Sequence, residues 1–139
     1  MSTNRILVAA LVGGIANFAL GFLVWGMLLA KFMADNAGTA TGVMKEQPVM
    51  WALIVGSLAG GLLLAYIFGR WANITNPVTG AKAGAVIAAL IALAWDFTML
   101  GVANINTLTG AIVDILANAV VGAIIGAVVA WMLGRGAKA

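Results

Sequence analysis

Residues 6–30 read ILVAALVGGIANFALGFLVWGMLLA, a run of 25 positions without a charged side chain. A secretory h-region holds only about 7–15 apolar residues. A bilayer-spanning helix needs about 20. The run is therefore read as a retained membrane span. Three further stretches meet the same requirement, at residues 48–69, 77–101 and 107–134. Pro48 and Pro77 suit first-turn positions, and Asn76 suits the N-cap before Pro77. The expectation is an all-α, polytopic membrane protein: a four-transmembrane-helix bundle with antiparallel neighbours, forming a single transmembrane domain over residues 1–139.

Composition supports this reading. The chain is 64% hydrophobic and 8% charged, whereas a soluble domain carries about 25% charged residues. Cysteine and histidine are absent, which excludes disulfides, thiol chemistry, histidine acid–base catalysis and the common zinc and haem sites. Ser57 has no His or Lys near it in sequence to act as a base, so no enzymatic activity, cofactor or metal is expected. The basic residues form no patch of the kind that nucleic acid requires.

Charge also orients the chain. Arg5, Arg70, Lys82, Arg135 and Lys138 fall on one side of the spans with no acid among them. Lys31 and Lys45 fall on the other, beside Asp35 and Glu46. The positive-inside rule then places both termini in the cytoplasm. Trp25 and Trp51 are expected in the outer aromatic belt, and Trp71 and Trp131 in the inner one. Residues 31–47 read as a plain connector. The sequon at Asn73 falls on the cytoplasmic side and is discounted.

Small residues recur every four positions. The fourth span has Gly110, Asp114, Asn118, Gly122, Gly126, Ala130 and Gly134, and the third has Gly80, Gly84, Ala88, Ala92 and Asp96. The second has Ser57, Gly61, Ala65 and Gly69 beside Gly56 and Gly60, and the first has Ala9, Gly13, Asn17 and Gly21. Residues four apart share a helix face, and small ones let backbones approach closely in lipid. Gly13, Gly21, Gly56, Gly60, Gly84, Gly122 and Gly126 are thus candidate helix-packing positions. Asn17 and Asn118 lie at similar depth in antiparallel spans and could face each other.

Two acids interrupt these stripes. Asp96 and Asp114 lie roughly 8 and 10 Å inside the same end of their spans, at 1.5 Å per residue. Each costs about 2.5–3.5 kcal/mol at a helix centre on insertion scales. No Lys or Arg stands at that depth to pair with them. Such groups can be neutral glue bonded to Asn118 or Thr98, can bind a cation, or can line a wet vestibule. Their matched depth predicts neighbouring carboxyls that do not both carry charge. Asp96, Asp114, Asn118 and Asn17 are the candidate polar intramembrane site.

The stretches 6–31, with Phe18-Ala-Leu-Gly-Phe-Leu-Val-Trp25, and 112–131, with Gly122-Ala-Ile-Ile-Gly126, resemble small four-span bacterial inner-membrane proteins grouped as domains of unknown function. The resemblance implies a four-helix fold and a bacterial cytoplasmic-membrane location. It implies no activity and no site residues. Two functions fit the sequence. One is a non-catalytic accessory or scaffolding subunit that self-associates or docks on a membrane-protein partner. The alternative is a small proton- or cation-linked transporter or channel using Asp96 and Asp114.

Overall fold

A computed structural model describes residues 1–135. Four helices in it are long and apolar enough to cross a membrane. They are α1 (Thr3–Leu28), α3 (Met50–Ala72), α4 (Pro77–Val102) and α5 (Leu108–Arg135), and a short helix, α2 (Ala30–Asp35), follows α1. The protein is a multi-pass membrane protein built as a helical bundle. Met1 and the α3–α4 connector lie at one end, here the terminal end. The α4–α5 connector and the long loop after α2 lie at the other, the hairpin end.

Local chemistry sets the helix boundaries. Asn76 caps α4: its Oδ1 accepts from the amides of Val78 at 2.9 Å and Thr79 at 3.2 Å, with Pro77 in the first turn. Asn76→Ala should therefore lower stability by about 1 kcal/mol, while Asn76→Ser should restore most of it. Denaturant titration of both variants in detergent checks this, and equal loss in both would show that the cap does not matter. Pro48, in contrast, stands outside α3. Val49 takes the cap position in an extended conformation (φ −86°, ψ 97°), and its carbonyl accepts from Ala52 and Leu53. At its far end α3 widens into a π-type turn over Ile67–Ala72 and stops where Asn73 adopts a left-handed φ of 49°. Asparagine tolerates that conformation better than most residues.

Glycine contacts define the packing. On α4, Gly80 and Gly84 meet Gly122, Gly126 and Ala130 of α5 so closely that a Cβ on any of the four glycines would strike backbone across the interface. Between α1 and α3, a Cβ on Gly14 would stand 2.7 Å from Leu58 Cδ2, and one on Gly61 would strike Gly14 and Ala10. Gly13 seats Val129, joining α1 to α5. The helices therefore run α3–α1–α5–α4 across the bundle, and α3 and α4, though consecutive spans, scarcely touch. Phe68, Val129 and Leu133 are fully buried, and with Ile6, Leu64 and Ile125 they fill the interior at and below mid-bundle. Large apolar residues such as Leu7, Ile15, Phe22, Leu90 and Leu116 face outward, as a lipid solvent allows.

Two of the expected packing glycines do not pack. A Cβ on Gly21 or Gly56 meets nothing within 4 Å. A step of four residues overshoots a full helical turn by about 40°, so a stripe drifts off its interface. Gly21 has turned away from the face that Gly13 presents. Gly56, five residues before Gly61, points to another side of α3. Gly60 meets not a helix backbone but the Asn17 amide, 2.5 Å from its would-be Cβ.

Side chains and loops tie off the ends. At the terminal end the Arg5 guanidinium donates to the Leu133 carbonyl, a cation on the carbonyl end of α5. Arg70 donates to the Met1 carbonyl at 3.1 Å and to Thr3 Oγ1 at 2.6 Å. At the hairpin end the long loop is more than a connector. The Thr107 amide donates to the Asn36 carbonyl at 3.1 Å, and the Ala40 amide to the Asn104 carbonyl at 2.8 Å. Gly38, with φ 76°, allows this approach, since a Cβ there would lie 2.6 Å from the Asn104 oxygen. Residues 36–40 are thereby pinned across the α4–α5 connector, while Val43 and Met44 stay exposed.

Candidate functional site

The register of the α4–α5 contact places the acids. Gly80 faces Gly126 and Ala130, and Gly84 and Ala88 face Gly122. Each four-residue step toward the hairpin end of α4 is matched by a step of four back along α5. Continued past Ala88 and Ala92, the stripe brings Asp96 opposite Asp114. The two acids thus face each other across the α4–α5 interface.

The two acids have different surroundings. Asp114 is well partnered: Trp25 Nε1 donates to its Oδ1 at 2.7 Å, and Asn118 Nδ2 donates to its Oδ2 at 2.9 Å. The same Asn118 nitrogen also reaches the Asp114 backbone carbonyl at 2.9 Å. Asp96 is the one buried charged residue among those described, with 7% of its surface exposed. Its Oδ2 is buried and has no donor. Asn106, in the α4–α5 connector, donates to the Asp96 backbone carbonyl at 3.4 Å, and its own Oδ1 is buried without a partner. Thr98 takes no part; its hydroxyl donates to Ala94 O of its own helix at 2.7 Å. The only ion pair among the described residues, Lys31 with Asp35 at 2.7 Å, lies on the exposed surface.

Of the candidate residues, Asp96, Asp114 and Asn118 form one cluster. Asn17 belongs elsewhere: its Nδ2 donates to the Ser57 carbonyl at 3.2 Å, bridging α1 to α3. Asn17 and Asn118 nevertheless line a common cleft of about 140 Å3 between α3 and α4. Trp25 and Asn106 were not legible as site residues. Trp25 reads as a belt aromatic in the sequence, yet it is half-buried with its indole N–H turned inward. It stands where α1 widens into a π-type turn over Val24–Leu28, a distortion often found at functional positions. Asn106 is one of several polar residues in a short connector, and nothing in its spacing marks it.

Chemically the cluster offers hard oxygen donors: two carboxyls and an amide. Oxygen ligands of this kind suit a proton or a hard cation rather than a soft transition metal. Fold and site together define a class, the α-helical multi-pass membrane proteins that carry a carboxyl pair between two spans. No protein-family model, curated protein or solved structure matches the chain.

Proposed function

We propose that this protein is a small transporter whose movement is coupled to a proton or a monovalent cation carried by the Asp96–Asp114 pair. One observation carries the reading: Asp96 is buried inside a membrane span on the face of α4 that packs against the Asp114 face of α5, and its Oδ2 has no hydrogen-bond partner among the described residues. A buried acceptor left unsatisfied in an apolar medium is costly, and an intramembrane acid marks an ion or proton pathway more often than a structural feature. The glycine stripes on α4 and α5 are consumed inside the bundle, which weakens the case that they serve partners. Toward the terminal end the interior is filled by Phe68, Val129 and Leu133. Passage therefore requires the α1–α5 contact to open, or a path between subunits.

The test is stability against pH and sodium for the parent, Asp96→Asn and Asp114→Asn. Each Asn variant should fold, since Asn keeps the shape and an acceptor oxygen. The parent should respond to pH or sodium across the range in which the pair exchanges its proton or cation, and both variants should lose that response. Proteoliposome flux should fall in parallel. A parent with no response, or variants that keep it, would rule the reading out.

The same proposal places the protein in a bacterial cytoplasmic membrane with both termini inside, because Arg5, Arg70, Lys82 and Arg135 gather at the terminal end. A reporter fused after Ala139 should be active only if it works in the cytoplasm; periplasmic activity would reverse the orientation. A second reading, an accessory subunit that self-associates or docks on another membrane protein, draws on Gly21 and Gly56, where an added Cβ would meet nothing within 4 Å among the described residues. Gly56→Cys should then cross-link to a second copy or a partner in native membranes. Its absence from every cross-linked species would remove that support.

A further inference from the structure

Two side-chain oxygens, Asp96 Oδ2 and Asn106 Oδ1, are buried without a partner among the described residues. They belong to residues that already touch. Asn106 Nδ2 donates to the Asp96 backbone carbonyl at 3.4 Å, which sets the Asn106 amide against Asp96. That bond also fixes which way the amide points: its nitrogen faces the carbonyl, and its oxygen is the free end. Asp96 itself has only 7% of its surface exposed. Both free oxygens are acceptors, so neither satisfies the other unless a proton is added. Each is costly to bury in an apolar medium.

Water, a metal cation and a proton differ here in charge and in ligand count. A water molecule can donate to both oxygens, but it leaves a buried carboxylate with no counter-charge. Asp114, which faces Asp96 from α5, adds negative charge rather than balancing it. The basic residue of α4 is Lys82, 14 positions from Asp96, or roughly 21 Å along the helix. Arg5 of α1, Arg70 of α3 and Arg135 of α5 lie at the terminal end. At the hairpin end Lys31 pairs with Asp35 on the surface, Lys45 and Glu46 stand in the exposed loop, and the α4–α5 connector has no charged side chain. A metal cation would supply charge, but a hard cation takes about six oxygen ligands. Only the two free oxygens are on offer, since those of Asp114 already accept from Trp25 and Asn118. A proton on Asp96 Oδ2 meets both needs. It removes the charge and turns one acceptor into a donor for Asn106 Oδ1.

We propose that the ion this protein carries is a proton, bound at Asp96 Oδ2 and hydrogen-bonded there to Asn106 Oδ1. The inference rests on the transport reading in making this proton the coupling ion, and deepens it by choosing the proton over sodium. Asn106 is a positioning residue. It takes no proton itself but accepts the hydrogen bond of the neutral carboxyl. On release the proton passes to water, Asp96 becomes a carboxylate, and Asn106 Oδ1 loses its donor.

The test is infrared difference spectroscopy on the full chain in nanodiscs of zwitterionic lipid, where a neutral carboxyl and a carboxylate absorb in separate regions. The chain has four side-chain acids, so substitution assigns the signal. At neutral pH the parent should show a neutral-carboxyl band that vanishes in Asp96→Asn and survives in Asp114→Asn. Asn106→Leu and the smaller Asn106→Ala should each shift that band, because the carboxyl loses its acceptor. Asn106→Ser keeps an acceptor oxygen and should stay near the parent. Raising the pH should convert the band to carboxylate, and sodium chloride at neutral pH should leave it unchanged. Absence of a band that depends on Asp96 would overturn the proposal. So would loss of the band on adding sodium, which would put a cation in the site, or a band unmoved in every Asn106 variant. The two readings fail separately. A shared proton without flux that depends on the acids keeps the site and removes the transport. Such flux without the neutral-carboxyl band keeps the transport and removes the proton site.

Discussion

Gly122→Leu and Gly126→Leu should each destabilise the protein by about 3 kcal/mol or more, at or beyond the upper end of the usual cost of overpacking. The expected size follows from what the added atoms would meet. At Gly122 the first Cβ already collides with Ala88 and the Gly84 carbonyl, and at Gly126 with the Gly80 carbonyl and the Gly84 Cα. Backbone has no rotamer to yield, so the helices must separate along the most extensive interface in the bundle. In lipid no hydrophobic drive would restore the contact, because association there depends on close packing itself. Gly56→Leu is the control, since nothing lies within 4 Å of its Cβ. Unfolding in a detergent–SDS titration should show both α5 variants far below the parent and Gly56→Leu close to it. Parent-like behaviour of Gly122→Leu and Gly126→Leu would mean that α4 and α5 do not meet along this stripe.

Asp114→Ala should be the most damaging of the polar substitutions. It leaves the half-buried Trp25 Nε1 without its acceptor and removes one of the two acceptors of Asn118 Nδ2, whose bond to the backbone carbonyl of residue 114 remains. A buried group deprived of its partner costs about 1–3 kcal/mol, and the loss should be of that size, set mainly by the stranded indole N–H. Asp114→Asn should be mild, because its amide oxygen can still accept from Trp25. Trp25→Phe should fall between the two, since it strands one carboxylate oxygen and leaves the Asn118 bond intact. A double-mutant cycle on Trp25→Phe and Asp114→Ala isolates the indole–carboxylate bond. A coupling energy near zero would show that the bond contributes nothing, and that Trp25 serves only the interface belt.

These predictions separate what a one-dimensional reading reaches from what it does not. Four spans and their approximate limits follow from the sequence, because lipid demands about 20 apolar residues per crossing and leaves few alternatives. The Asn76–Pro77 start of α4 follows from local capping chemistry. The glycines that pack are partly legible. Gly84, Gly122 and Gly126 sit in runs of small residues on both members of a short hairpin, so their faces must meet. Gly21 and Gly56 look the same in sequence, yet spacing by four drifts around the helix, and only the crossing geometry decides which part of a stripe lies in contact. The depth of Asp96 and Asp114 can likewise be counted along their spans, and the hairpin makes them neighbours.

Other features depend on contacts between elements far apart in the chain. Trp25 and Asp114 are 89 residues apart, and Asn17 and Ser57 are 40 apart; nothing local in either pair encodes the partner. The order α3–α1–α5–α4 is of the same kind. Because Gly13 seats Val129 and Gly61 seats Gly14, α1 and α5 fill the centre and hold α3 and α4 apart. That separation opens the cleft onto Asn17 and Asn118. The amino-acid sequence alone determined the membrane class, the spans and the depth of the acids, because each depends on composition and length within one segment. The tertiary structure decided which faces touch, which oxygen of Asp96 is left without a donor and where the amides point, because these depend on helix rotation and crossing, which a repeat of small residues leaves free.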